Sequence, residues 1–292
     1  MRLVLAALLV SSVSAGIVDD VRASIARNDL AGADRLIQSY RRFNGADSQL
    51  ANALGWQARG TLDAKNLDRA AAYAEETRKL ALPKLTGPRA DREQWLYALG
   101  AAIEVQAQVQ AARGETAQAV LFLRNELRTY GGTSLRERIQ KNLNLLSLEG
   151  KPAPALEAAP SFASLGGKAV LLFFWAHWCP DCKAMVPMIA ALKKKYGPQG
   201  LVLIGPTRYY GYVANGSDAP PEVEKPYIEY IRRQFYGPLD MPAPLSNANF
   251  ARYGASTTPT LVLVDRKGIV RWYHPGAARG PELVSQIEKV LR

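Results

Sequence analysis

The chain has 292 residues, of which 48% are hydrophobic and 22% are charged. This composition is typical of a folded, core-forming protein and excludes a disordered chain, and the length allows about two domains. The formal net charge is +11, and the excess of Lys and Arg is spread over both halves of the chain. Because no nucleic-acid recognition motif accompanies the charge, we expect a solvated basic surface and no nucleic-acid partner.

The first fifteen residues have the three parts of a secretory signal. Arg2 supplies a positive charge, residues 3–10 are apolar, and small side chains at 13–15 suit cleavage after Ala15. No later segment is long and apolar enough to cross a membrane. We therefore expect residues 1–15 to be a signal peptide, with an uncleaved anchor or a buried first helix as alternatives. The expected location is periplasmic or otherwise extracytoplasmic, without a stable membrane span after cleavage.

Residues 19–148 are rich in Ala, Leu, Gln, Arg and Glu, which favour helices. A short pattern recurs in Asn28–Ala33 (NDLAGA), Asn66–Ala71 (NLDRAA) and Gly114–Ala119 (GETAQA). Each copy begins with Asn or Gly, which tolerate the left-handed turn at a helix end, and has Ala five residues later. The pattern resembles irregular tetratricopeptide helix–turn–helix repeats, which would offer a docking surface for a protein partner. An ordinary helical bundle is the alternative.

The hydrophobic pattern changes after a segment with three prolines, Gly150–Phe162. We place a linker at 149–162, leading into the first strand of a second domain at 163–292. The order of elements there predicts an α/β fold with a mixed sheet between helices. The predicted elements are a strand at 168–176, a helix at 180–196, a strand at 201–204, a helix at 227–235, two strands at 260–265 and 269–274 around a short loop, and a helix from Pro281. The helix at 227–235 is predicted from Tyr227, Tyr230, Ile231 and Phe235, which share one face.

The chain contains two cysteines, Cys179 and Cys182, at the start of a predicted helix. A structural zinc site needs four ligands, and His177 and His274 lack zinc-finger spacing. A structural disulfide across so short a loop removes little chain entropy. A helix start stabilises a thiolate at Cys179, and Cys182 lies within its reach, so redox exchange is favoured over both alternatives. We expect no metal and no organic cofactor.

Residues 150–291 contain further motifs in a recognisable order. They are GKPAP (Gly150–Pro154), VLLFFWAHWCPDC (Val170–Cys182), Pro187 five residues after the second cysteine, Thr258-Pro259-Thr260, and a hairpin followed by a terminal helix. Together these motifs resemble the thioredoxin superfamily, and within it the exported TlpA/ResA-like branch. The resemblance covers nearly all of the second domain.

This resemblance implies a protein thiol–disulfide oxidoreductase. Cys179 would attack a substrate disulfide and Cys182 would resolve the mixed disulfide, so the partners would be protein thiols or disulfides and an upstream dithiol donor or acceptor. The peptide bond before Pro259 would be cis, and the Thr258 backbone would pair with an extended substrate. An ordinary edge-strand proline is the alternative. The expected supporting residues are Trp178, Pro180, Asp181, Thr258, Pro259 and His177.

Two positions depart from the family pattern. Phe173 stands six residues before the first cysteine, where thioredoxins have a buried acid, and Met185 stands three residues after the second, where the branch often has Glu. Our hypothesis is that His177 stabilises the Cys179 thiolate or moves a proton in their place. The alternative is a surface histidine without a role.

The residues between the cysteines indicate the direction of electron flow. Pro180 removes an N–H donor from the helix start, and Asp181 opposes the helix dipole, so both destabilise the thiolate. A less stable thiolate favours a reducing couple, and reduction of protein disulfides is the predicted activity. The alternatives are a disulfide oxidase or isomerase of the same fold, and an interaction scaffold with little redox activity.

The loop at 206–225 is longer than a usual strand-to-helix connection and contains Tyr209–Tyr212 (YYGY). Exposed tyrosines there would offer a contact surface for a peptide or protein. A loop that packs on its own protein is the alternative, and it is the one we favour.

Overall fold

The computed structural model describes residues 16–87 and 89–292. The predicted signal peptide at residues 1–15 therefore lies outside the described residues. The chain forms two compact units that divide between Val109 and Gln110. Within the described part of the chain, no helix is both long enough and apolar enough to span a membrane.

The N-terminal unit is all-helical. Side chains of three helices form one core, which includes Val21, Ile37 and Leu54. A second core is built largely from Ala58, Ala70 and Ala74 with two valines, and these small residues let helices approach closely. The helices are α1 (Ile17–Ala26), α2 (Leu30–Asn44), α3 (Ser48–Asp63), α4 (Leu67–Ala81) and most of α5 (Arg89–Ala112).

The recurring sequence pattern falls at the turns between helices. Asn28 and Gly114 have φ values of 60° and 87°, so the first and third copies have the predicted left-handed residue. In the second copy Lys65 is left-handed, with φ 61°, and Asn66 instead caps α4 by accepting a hydrogen bond from the Arg69 N–H at 3.2 Å. The second copy therefore differs from the prediction by one residue.

The C-terminal unit begins with two helices, α6 (Thr116–Tyr130) and α7 (Arg136–Ser147). The predicted boundary lies at 149–162, whereas the compact units divide before α6. The reason is tertiary packing, because α7 packs against a strand at Val270–Pro275 and a short helix at Asn247–Tyr253 of the C-terminal unit. Composition alone does not distinguish α7 from the helices that precede it.

A mixed four-stranded sheet forms the centre of this unit. Its strands are β1 (Ala169–Phe174), β2 (Leu201–Ile204), β3 (Thr260–Val264) and β4 (Val270–Pro275), and the helices around it are α8 (Pro180–Tyr196), α9 (Pro221–Tyr236), α10 (Asn247–Tyr253) and α11 (Gly280–Leu291). The strand order is β2-β1-β3-β4. β1 pairs with β2 in parallel, and β3 is antiparallel to both β1 and β4. The predicted mixed sheet between helices is confirmed.

Both faces of β1 are covered, and all its residues are buried. Leu171 and Phe173 contribute to a core with side chains of α8, α9 and α11. Phe174 contributes to the opposite core, where it contacts Phe250 and Tyr253 of α10 at ring-centroid distances of 5.3 and 5.1 Å. A strand buried on both faces explains the continuous apolar run in the sequence.

Two predicted features of the helices need correction. α10, seven residues long, was not predicted at all. In α9 the buried face contains Glu224, Ile228 and Ile231, whereas Tyr230 and Phe235 are exposed. The predicted aromatic face was therefore wrong, because a helical spacing of aromatic residues does not distinguish the core-facing side from a neighbouring side.

Candidate active site

The cysteine pair lies where β1 leads into α8. The Cys179 N–H donates to the Ala176 carbonyl at 3.2 Å, which closes a turn after the strand. Cys179 is the N-cap of α8, and its Sγ accepts a hydrogen bond from the Cys182 N–H at 3.0 Å. Pro180 is the first helical residue, a position that suits its fixed φ. The Cys179 sulfur is therefore held at the amide end of a helix.

The two cysteines are bonded to each other, with their Cα atoms 5.3 Å apart. Cys179 is 1% exposed and Cys182 is fully buried. Within the described residues, no group of three or more His, Cys, Asp or Glu side chains could hold a metal ion. His274 instead stacks on Trp272 at 4.8 Å.

The Thr258–Pro259 peptide bond is cis. Thr260 pairs with Phe174 in the register of β3 and β1, so the cis bond lies at the end of β1 that leads to the cysteines. The Pro259 carbonyl accepts a hydrogen bond from the Gly276 N–H at 2.7 Å. The Thr258 Oγ1 is buried without a hydrogen-bond partner. This loop therefore brings an unpaired hydroxyl group close to the segment that carries the cysteines.

The other predicted supporting residues face solvent. Trp178 is 45% exposed, and its ring meets the edge of Tyr210 at 5.6 Å. Pro180 and Asp181 are exposed in the first turn of α8. These three residues therefore form exposed surface next to the buried cysteine pair.

Apolar side chains occupy both positions where the family has acids. Phe173 is fully buried, and its ring lies 6.4 Å from that of Tyr236. Met185 is buried in the same core. Neither position can supply a carboxyl group, so any proton acceptor for the pair must come from another part of the fold.

His177 is 2% exposed, so the alternative of a surface histidine is wrong. The rings of Tyr210, Tyr212 and Tyr227 meet its imidazole edge-on, at centroid distances of 5.3 to 5.4 Å. Burial lowers the pKa of His177, and Lys183 lowers it further, whereas the Glu224 carboxylate opposes the shift. The imidazole is therefore neutral at neutral pH.

Glu224, which no sequence motif identifies, is fully buried beside His177. Its Oε1 accepts a hydrogen bond from the Tyr210 N–H at 2.6 Å, and its Oε2 accepts one from the Gly211 N–H at 2.9 Å. The same Oε1 lies 3.4 Å from the His177 Nε2, which makes no hydrogen bond. One signal could have revealed it, because Glu224 shares a helix face with Ile228 and so places a carboxylate among apolar positions.

The tyrosine-containing loop packs on its own protein. Tyr212 pairs with Asp218 across a small hairpin, and the Ala219 N–H donates to the Gly211 carbonyl at 2.9 Å. Gly211 has φ 83°, a value that glycine adopts readily. The Tyr210 hydroxyl donates to the Trp175 carbonyl at 3.5 Å. The loop is thus held by its own hydrogen bonds and forms one side of the site around His177.

Arg208 connects the tyrosine-containing loop to α7. Its guanidinium stacks over the rings of Tyr210 and Phe250 at 5.1 and 4.9 Å. It also donates to Glu137 of α7 at 2.5 Å. Helix α7 therefore helps to hold the loop that surrounds His177.

The fold and site define the C-terminal half of the chain as a thioredoxin-like domain. A family model described as a thioredoxin-like domain matches residues 156–291. Among curated proteins, the chain is 28% identical to the thiol:disulfide interchange protein DsbE of Xylella fastidiosa, over 45% of this chain and 63% of that protein. It is 27% identical to the thiol-disulfide oxidoreductase ResA of Geobacillus thermodenitrificans, over 42% of this chain and 64% of that protein.

A third relative and a solved structure extend the comparison. The thioredoxin-like protein YneN of Bacillus subtilis is 27% identical over 42% of this chain and 65% of its own length. The alignments therefore span less than two thirds of these three relatives. A crystal structure of a thioredoxin-family thiol:disulfide interchange protein from Chlorobium tepidum aligns with 20% identity and a TM-score of 0.38, over 49% of this chain and 98% of that chain.

Proposed function

We propose that this protein catalyses thiol–disulfide exchange and reduces disulfide bonds in other proteins. The observation that carries the proposal is the Cys179–Cys182 disulfide at the amide end of α8. The cis bond before Pro259 lies at the end of β1 that leads to the cysteines, which supports the proposal. The names of the DsbE and ResA relatives support the same chemistry.

The reaction proceeds in two exchanges. In the reduced protein the Cys179 sulfur attacks a substrate disulfide, so one substrate thiol leaves and a mixed disulfide forms. Cys182 then attacks the Cys179 sulfur, the second substrate thiol leaves, and the intramolecular disulfide forms again. The substrate gains two electrons from the cysteine pair. An upstream dithiol protein must then supply two electrons to reduce the pair again. The amide end of α8 stabilises the negative charge on Cys179 during each exchange.

The first turn of α8 supports the reducing direction. Asp181 places a carboxylate near the helix start, where it opposes the dipole. Pro180 supplies no N–H to the Cys179 sulfur. Both residues weaken the thiolate and thereby favour the disulfide form of the pair, which makes the couple more reducing.

We also propose an extracytoplasmic location and a docking role for the N-terminal unit. The signal-like sequence of residues 1–15 supports the location. The helical unit exposes large aromatic side chains, with Phe43 at 77% exposure, and these suit contact with a protein partner. Cell fractionation of the full chain, with and without residues 1–15, tests the location.

An insulin reduction assay with dithiothreitol as the electron donor tests the proposed activity. We expect Cys179→Ser to lower the rate to that of dithiothreitol alone. We expect Cys182→Ser to accumulate a mixed disulfide with insulin on Cys179, detected by mass spectrometry without reducing agent. A Cys179→Ser variant that retains the rate, with unchanged circular dichroism, would contradict the proposal and favour an interaction scaffold.

A further inference from the structure

The buried pair of His177 and Glu224 has no part in the two exchanges of the proposed reaction, although His177 is two residues before Cys179. We propose that Glu224 is a positioning residue that acts through His177, and that His177 takes up the proton of Cys179 when the reduced pair reacts. This inference rests on the proposed thiol–disulfide exchange and identifies the proton acceptor that the exchange requires.

His177 and Cys179 belong to one turn of the backbone. The hydrogen bond from Cys179 to Ala176 closes this four-residue turn, and His177 is its second residue. Because His177 and Cys179 are two positions apart in the chain, their Cα atoms lie within about 7 Å of each other. His177 and Cys179 are 2% and 1% exposed, so water screens their interaction weakly.

Glu224 is fixed in place by the loop. Its two carboxylate oxygens accept the Tyr210 and Gly211 N–H groups at 2.6 and 2.9 Å. These bonds orient the carboxylate so that one oxygen lies 3.4 Å from the His177 Nε2. The carboxylate therefore favours the tautomer with a proton on Nε2, and an imidazolium formed by protonation of Nδ1 would gain a charged partner.

The neutral imidazole can accept a proton. The pKa of His177 is lowered by burial, with Glu224 acting against this shift and Lys183 adding to it. With its proton on the buried Nε2 that faces Glu224, the neutral ring keeps Nδ1 as an acceptor nitrogen.

The other groups around His177 and the cysteines do not offer a competing acceptor. Burial raises the pKa of Tyr210 and Tyr212, so these phenols stay protonated. Lys183 is a cation and cannot accept a proton. Asp181 is exposed on α8, whereas His177 is buried. Tyr227 also contacts His177, with its ring edge-on to the imidazole at a centroid distance of 5.3 Å.

Protons and electrons balance in this scheme. The Cys179 thiol passes its proton to His177 as its sulfur bonds to one substrate sulfur, and the substrate disulfide breaks. The Cys182 thiol then displaces the second substrate sulfur and loses its own proton. The two protons end on the two substrate sulfurs, one of them returned from His177. The substrate gains two electrons as the cysteine pair becomes a disulfide.

The experiment measures the alkylation rate of Cys179 by iodoacetamide as a function of pH, in full-length protein reduced with dithiothreitol. We expect Glu224→Gln to move the midpoint of this profile upward by about one pH unit, because the imidazolium loses its partner. At neutral pH this shift slows alkylation by up to about tenfold. The matched control is Glu222→Gln, an exposed residue of the same helical turn, which we expect to leave the profile unchanged.

A double-mutant comparison separates action through His177 from direct action on the sulfur. We expect His177→Phe to raise the midpoint as Glu224→Gln does, and the double variant to show no additional rise. A Glu224→Gln variant that lowers the midpoint, or that raises it equally in the His177→Phe background, would overturn the proposal. Neither measurement requires a protein substrate, so failure in the insulin assay with these shifts intact would refute only the proposed function.

Wild-type protein offers a test that does not depend on the folding of any variant. The chain contains two histidines, so the imidazole signals are readily assigned by nuclear magnetic resonance. We expect the pKa of His177 to be higher in the reduced protein than in the disulfide form, because reduction creates an anion nearby. An identical pKa in both forms would overturn the proposal.

Discussion

Two segments form the site. They differ in whether local sequence or contacts between distant residues determine their structure. The segment from β1 to α8 places its cysteines by local rules, with a strand, a turn and a helix that begins at Pro180. The loop at 206–225 and the first turn of α9 place Glu224 through contacts between residues 13 and 14 positions apart. The first segment contains the motifs that resemble a known family, whereas the second was not recognised from a motif.

The largest expected effect concerns the position where the family has an acid. Phe173→Asp places a carboxyl group in a fully packed core, so we expect a loss of about 4 kcal/mol in the free energy of unfolding, measured with urea. Phe173→Leu, which keeps the site apolar, serves as the control and should cost about 1 kcal/mol. A small loss for Phe173→Asp together with faster exchange would show that the strand can still hold the family's acid.

The second prediction addresses the loop. Glu224→Ala leaves the Tyr210 and Gly211 N–H groups without their acceptor, and we expect the unfolding free energy to fall by about 2 to 3 kcal/mol. Glu222→Ala, on the exposed side of the same turn, should change it by less than about 0.5 kcal/mol. Equal effects of the two substitutions would mean that the carboxylate does not organise the loop.

The pH dependence of stability should reveal the buried histidine. Because the pKa of His177 is lower in the folded state, protonation favours the unfolded chain. The disulfide form should therefore lose stability as the pH falls below the unfolded histidine value of about 6.5, by at most about 1.4 kcal/mol per pH unit. We expect the unfolding free energy of His177→Phe, measured by urea titration between pH 7 and pH 5, to lack this pH-dependent loss. Parallel curves for the two proteins would contradict the assignment.

The smallest expected effect tests the link from the loop to α7. Arg208→Met removes the stacked guanidinium and the contact with Glu137, both partly exposed, and should cost about 1 kcal/mol. Arg233→Met, on the exposed face of α9, is the matched control and should be close to neutral. A neutral Arg208→Met would show that α7 does not support the loop.

The same contrast explains how much could be predicted from the sequence. The bounds of α8 and β2 agree with the prediction, because their apolar spacing and flanking Gly and Pro are local signals. The sequence also identified His177, although its burial was undecided. Glu224 could not be recognised as part of the site, because its acceptance of two loop N–H groups depends on where a long connection returns to the fold.

A short helix and the boundary between the two compact units also could not be predicted from the sequence. α10 has seven residues, too few for a clear helical period, and its place is set by Phe250 packing against Phe174. The division of the chain before α6 follows from the contacts of α7 rather than from composition. In each case a tertiary contact determines the structure, and that contact cannot be recognised in a single sequence.

The equilibrium redox potential of the Cys179–Cys182 pair is the decisive test of the proposed reducing activity. A titration with dithiothreitol at pH 7, followed by mass spectrometry of alkylated thiols, gives the potential of the full-length protein. We expect a value near the roughly −270 mV of thioredoxin, as for a reductase that an upstream dithiol reduces again. A value near the roughly −120 mV of a dedicated disulfide oxidant would contradict it and reverse the direction of electron flow.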